Sequence, residues 1–189
     1  MPAPEPTDLG PLAALAGTWE GDEGVDVAFA NTTGEVAETR YRERAVFNPF
    51  GPVLNGKQSL FGLDYRTAAW RLGGDDPFHT EVGYWLWDGD ARQVMRCFMV
   101  PRGCTVLAGG PAHVDSTTWT MQAEVGSETY GILSNQYLAT AARTTLYQVT
   151  IEVRDADTFA YEERTVVEIS RLPAPLDHTD RNVMHRVDG

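Results

Sequence analysis

Four histidines and two cysteines are the residues of this 189-residue chain best able to ligate a metal or act as a nucleophile. A neutral imidazole in an apolar pocket can ligate iron or move a proton near neutral pH. His113 follows the Gly-Pro-rich turn Gly109–Pro111, and His185 stands beside Arg186 near the C-terminus; both read as surface residues. His178 opens the polar stretch His178-Thr179-Asp180-Arg181-Asn182. His79 lies in an aromatic-rich run between Phe78 and Tyr84. On a strand His79, Glu81 and Gly83 share one face, which predicts a His–Glu contact. Cys97 and Cys104 flank Pro101-Arg102-Gly103 without the CxxC spacing of a structural zinc site, so they read as free thiols, a hairpin disulfide being the alternative. Glu162-Glu163 reads as a solvated turn. Nucleophile elbow, P-loop, dinucleotide fingerprint and zinc-helix motifs are all absent, so no catalytic residue is nominated.

The elements that must position these residues have a period of two rather than 3.6. Trp119, Met121 and Ala123 alternate with Thr118, Thr120 and Gln122, and Tyr147, Val149 and Ile151 with Gln148, Thr150 and Glu152. Tyr41, Ala45 and Phe47 alternate with Arg40, Arg42 and Arg44, which predicts a solvated arginine face, although an inward one remains open. Turn signals at Asn31–Gly34, Asn48–Gly56, Gly73–Pro77, Asp88–Asp90, Gly109–Pro111 and Asp155–Asp157 separate the runs. The expected fold is all-β: a closed antiparallel up-and-down β-barrel of about eight to ten strands with a short N-terminal helix. Residues 1–16 form the tail and helix, with Asp8 as cap and Leu12 and Leu15 on one face. Residues 17–189 form one barrel domain. Closure removes sheet edges and leaves room for one small ligand.

Composition narrows the partners. The formal charge is −12, from 27 acidic and 15 basic residues, which argues against nucleic acid and anionic membrane surfaces. No apolar run approaches the roughly 20 residues of a spanning helix. The acidic, Pro-rich start, Met1 to Thr7, lacks the basic and apolar regions of a secretory leader. A cytoplasmic protein holding a small, mostly apolar ligand is expected, with homodimerisation left open.

The segment Gly17-Thr18-Trp19-Glu20-Gly21-Asp22-Glu23-Gly24 resembles the G-x-W entry of lipocalin and fatty-acid-binding barrels. In its longer G-x-W-x-G-x-x-G form it resembles the nitrobindin family of haem-binding barrels. His79 through Trp85, containing Glu81, Gly83 and Tyr84, is similar to that family's H-x-E-x-G-Y-aromatic strand. Leu176-Asp177-His178 through Val187 resembles its histidine-bearing tail, with Asp177 and Thr179 departing from the usual Pro and Leu. The resemblance implies haem b with His178 as axial ligand to iron and His79 on the distal side. It also implies nitric oxide and peroxynitrite chemistry, with peroxynitrite isomerisation as the activity. The alternative is a fatty-acid or lipid-type carrier or sensor without haem or catalysis. Trp19, Trp85, Trp87 and Trp119 are candidates to line the cavity.

Overall fold

Strands whose inward positions are apolar cannot bury that face alone, and here they close on themselves. The computed structural model describes residues 4–187; residues 1–3 and 188–189, at the ends of the expected spans, lie outside the described residues. The strands are β1 (Gly17–Ala30), β2 (Glu35–Asn55), β3 (Gln58–Arg71), β4 (Pro77–Asp88), β5 (Gln93–Val100), β6 (Cys104–Pro111), β7 (Thr118–Val125), β8 (Gly131–Ser134), β9 (Ala142–Val153), β10 (Thr158–Ile169) and β11 (Leu176–Val187). A short helix α1 (Gln136–Ala141) follows β8. The order around the closed barrel is β1-β11-β10-β9-β7-β8-β6-β5-β4-β3-β2.

Among the described residues eleven strands therefore replace the expected eight to ten, and the barrel is not purely antiparallel. β8 runs parallel to the end of β7 over Glu124↔Gly131 and Val125↔Ile132. The loop between them folds back, so β8 starts beside the last residues of β7 and takes over as the neighbour of β6. That handover explains the parallel pair without a crossover helix: β6 pairs with β7 at Gly109↔Gln122 and with β8 from Cys104 to Val106. The turn signal at Asn48–Gly56 also misled. β2 continues to Asn55 through a bulge between Phe50 and Val53, still paired with β3. The Gly109–Pro111 signal likewise falls inside β6.

The N-terminal helix is a 3-10 segment, Pro6–Leu15, kinked at Gly10, whose φ of 55° is left-handed. Glu5, not Asp8, occupies the cap position, and Asp8 bonds back to it. The segment plugs one barrel end with Leu9, Leu12 and Leu15, all buried. Trp19 bonds it to β1, donating from Nε1 to the Leu15 carbonyl at 2.8 Å. From β11 the Arg186 guanidinium lies 4.2 Å over the Trp19 ring and donates to the Ala14 and Ala16 carbonyls. Thus the G-x-W segment closes this end of the barrel.

The motif glycines answer to space. A Cβ at Gly24 would fall 2.5 Å from the Tyr41 ring, and one at Gly83 would meet the Cys97 carbonyl oxygen at 2.0 Å. At Gly83 the obstacle is the neighbouring strand's backbone, which cannot rotate away. Gly83→Ala should therefore pry β4 from β5 and cost about 1–3 kcal/mol. A drop in the urea midpoint at unchanged slope would report it. An unchanged midpoint would mean that β4 and β5 tolerate separation there.

Arg40, Arg42 and Arg44 are exposed and face out of the barrel. Arg42 stacks 4.5 Å over Trp70, and Arg44 pairs with Glu20. Cys97 and Cys104 are free. Among the described residues no helix is long and apolar enough to cross a membrane.

Candidate functional site

Opposite the plugged end the barrel holds a cavity of about 570 Å³, within the range of small-molecule sites. Its floor is apolar, with Phe47, Trp85, Val149, Ile151 and Phe159. Trp85 is the one of the four candidate tryptophans that lines it; Trp19, Trp87 and Trp119 are core residues outside its lining. Above the floor the lining is more polar than expected. Strand parity turns Glu43, Glu81, Glu163 and Asp180 inward on β2, β4, β10 and β11, together with Arg96 on β5. Glu163 is accordingly no solvated turn residue.

Arg96 is the centre of this layer. It is 8% exposed, and its guanidinium spends its donors on protein. Nη2 donates to Glu81 Oε2 at 2.5 Å, Nη1 to Glu163 Oε2 at 2.9 Å and to the Tyr147 hydroxyl, and Nε to the Tyr65 hydroxyl at 3.2 Å. Tyr65 donates in turn to Glu81 at 2.9 Å, and Tyr147 to Glu163 at 2.7 Å. Burial of Glu81 opposes its charge, yet Arg96 and the bonds from His79 and Tyr65 hold its carboxyl well below the usual range.

His79 reaches Glu81 as the shared strand face predicts, with Nε2 3.0 Å from Oε1. Its side chain is 39% exposed and lines the cavity. Burial works against a charged ring. The Glu81 bond and charge, with the charges of Glu163 and Asp180, outweigh it and raise the pKa to about 9. His79 is therefore an imidazolium at neutral pH.

A second cluster forms a chain of oxygens from Asp180 through Tyr41 and Tyr161 to Glu43. Tyr41 and Tyr161 hydroxyls are 2.6 Å apart, Tyr161 donates to Glu43 Oε2 at 2.7 Å, and Tyr41 Oη also contacts Asp180 Oδ1. Three contacts need three protons, and two phenols supply two. The third belongs to a carboxyl. Burial raises both acids, Asp180 to about 8 with help from the charges of Glu163, Glu43 and Asp26.

His178 lies on β11 with alternating neighbours Asp177 and Thr179 outward, so its ring faces the cavity. Nε2 is 2.6 Å from Asp26 Oδ1 on β1. Around it the walls are built of small residues, Ala28 and Ala30 on β1 and Ala37 and Thr39 on β2. Tyr84, by contrast, points outward and packs on Phe50 at 5.4 Å. His113 and His185 are exposed, as expected. Among the described residues no group of three or more His, Cys, Asp or Glu is arranged to hold a bare metal ion.

Sequence reasoning passed over Arg96, Glu43 and Asp180. The signal was parity: Arg96 sits between Val94 and Phe98 on the inward face of β5, and Glu43 between Tyr41 and Ala45 on that of β2.

The chain matches a known family over residues 8–186, the THAP4-like, heme-binding beta-barrel domain. The chain belongs to this family. Two relatives named peroxynitrite isomerase align with part of it. That of Clavibacter sepedonicus is 34% identical over 103 residues, 50% of this chain and 46% of the relative. That of Clavibacter michiganensis subsp. michiganensis is 33% identical over 102 residues, with the same shares. The chain thus spans about half the length of these curated relatives. The crystal structure of Rv2717c from M. tuberculosis superposes with a TM-score of 0.64 at 21% identity, covering 96% of this chain and 98% of that one. That likeness establishes the fold.

Proposed function

We propose that the cavity binds haem b, with His178 as axial ligand and His79 on the opposite side, and that the protein isomerises peroxynitrite. The observation carrying this reading is the inward turn of His178 beside Asp26 in a cavity whose nearby walls are alanine and threonine. Small side chains leave space for a broad flat ligand, and the aromatic floor suits its apolar body. A carboxylate on a ligating histidine fixes the ring and strengthens the donor. Ligation through Nε2 requires the ring to turn and pass the Asp26 contact to Nδ1. The residues present therefore fit the group with one rearrangement. Bound there, haem would supply the iron on which nitrogen-oxide chemistry could run. The chain would supply a donor at His79, held by Glu81.

The carrier alternative gains no carboxylate anchor in the barrel's middle from this geometry. Arg40, Arg42 and Arg44 face outward, and Arg96 is already neutralised by Glu81 and Glu163. Among the described residues a fatty-acid carboxylate would find no unpaired arginine in the barrel's middle.

Titrating the protein with hemin tests the reading. A Soret band saturating at one haem per chain, and lost in His178→Ala, is the expected result. An unchanged spectrum in that variant would remove His178 as ligand, and no saturable band in the wild type would remove haem.

A further inference from the structure

The polarity of the cavity has a direction. Its lining holds five carboxyl groups, Asp26, Glu43, Glu81, Glu163 and Asp180, all within the barrel wall. Its three lining arginines are Arg71, Arg96 and Arg102. Arg96 lies deep and is paired twice. The other two stand at the mouth, where β3 ends and where β5 turns into β6.

Both mouth arginines are exposed, and neither makes an ion pair among the described residues. Arg71 and the backbone of Arg102 are also held in place. Arg71 lies 4.9 Å over the ring of Phe78, itself a lining residue. The Arg102 backbone is fixed because its carbonyl accepts from Asn135 Nδ2 at 2.7 Å, and Asn135 caps α1. Two guanidinium groups, free of carboxylate partners among the described residues, thus flank the entrance to the cavity.

We propose that Arg71 and Arg102 receive the carboxylates of the bound porphyrin at the mouth, Arg96 in the interior being already paired with Glu81 and Glu163, so that the ligand is held ring-inward. This rests on the haem reading and adds the residues that set the ligand's orientation. Guanidinium suits carboxylate because its planar fork can donate twice. At an exposed rim each such pair contributes modestly and is screened by salt.

The test compares hemin with hemin dimethyl ester, which keeps the ring and iron but lacks the negative charges. Absorbance titrations of wild type at low and high salt should show hemin preferred by about tenfold, the preference shrinking as salt rises. Arg71→Gln with Arg102→Gln should bind both compounds alike. Arg42→Gln with Arg66→Gln, both exposed outside the cavity lining on β2 and β3, changes net charge equally and should keep the wild-type preference. Equal binding of the two compounds by wild type, or an undiminished preference in the mouth variant, would overturn the inference and leave haem binding standing. If neither compound binds wild type, the haem reading falls and this inference with it.

Discussion

Replacing Arg96 with leucine should destabilise the protein by about 3–5 kcal/mol, the cost of leaving buried carboxylates without their partner. Glu81 is 4% exposed, so its charge would be left with little water to replace the lost partner, while Glu163 in the same layer is more accessible at 18%. Four tyrosine and carboxylate oxygens would also lose a donor at once. Leucine fills part of the space, which separates the loss of charge from the loss of volume. Combining Arg96→Leu with Glu81→Gln and Glu163→Gln should recover part of the stability, because neutral amides tolerate burial better than unpaired charges. Urea unfolding of the three proteins measures this. A single variant as stable as wild type would show that the layer opens to water, and a triple variant no better than the single one would shift the cause to packing.

Glu81→Gln should lower the His79 pKa by about 1–3 units from its wild-type value, since it removes an adjacent opposite charge. Wild-type His79 should titrate near 9, followed by NMR of the ring protons. The folded value lies above the ordinary 6.5, so the stability from this pairing is fully present below 6.5 and is lost as pH rises through about 9. Asp180 acts in the same sense: its proton is favoured in the fold, and the advantage fades as pH rises from 3.8 through about 8. Glu81 acts oppositely, its contribution being lost as pH falls below the ordinary carboxylate range. Stability should therefore decline on the alkaline side from His79 and Asp180 and on the acid side from Glu81. A wild-type His79 titrating near 6.5, or a variant still near 9, would remove Glu81 as the group that holds the proton.

Much of this architecture can be read from spacing. Period-two runs such as Trp119-Met121-Ala123 and Tyr147-Val149-Ile151 become buried strand faces because an alternating strand has only one way to bury its apolar side. The His79–Glu81 contact follows from the same parity, since residues two apart on a strand lie on one face. The charges on the apolar parity, Glu43 and Arg96, were equally visible as violations of the pattern, and both lie in the lining of the cavity.

Tertiary structure decided what no local pattern encodes. Arg96 meets Glu163 across 67 positions, His178 meets Asp26 across 152, and Tyr41 meets Asp180 across 139. Such partners depend on barrel closure and strand order, which arise from long-range pairing rather than from neighbouring residues. The same holds for β8, whose short loop and handover from β7 make a parallel pair that period-two reading cannot distinguish from an antiparallel one. Period-two spacing marked the two faces of each strand; closure of the barrel decided which inward side chains meet, because only closure brings β11 back to β1.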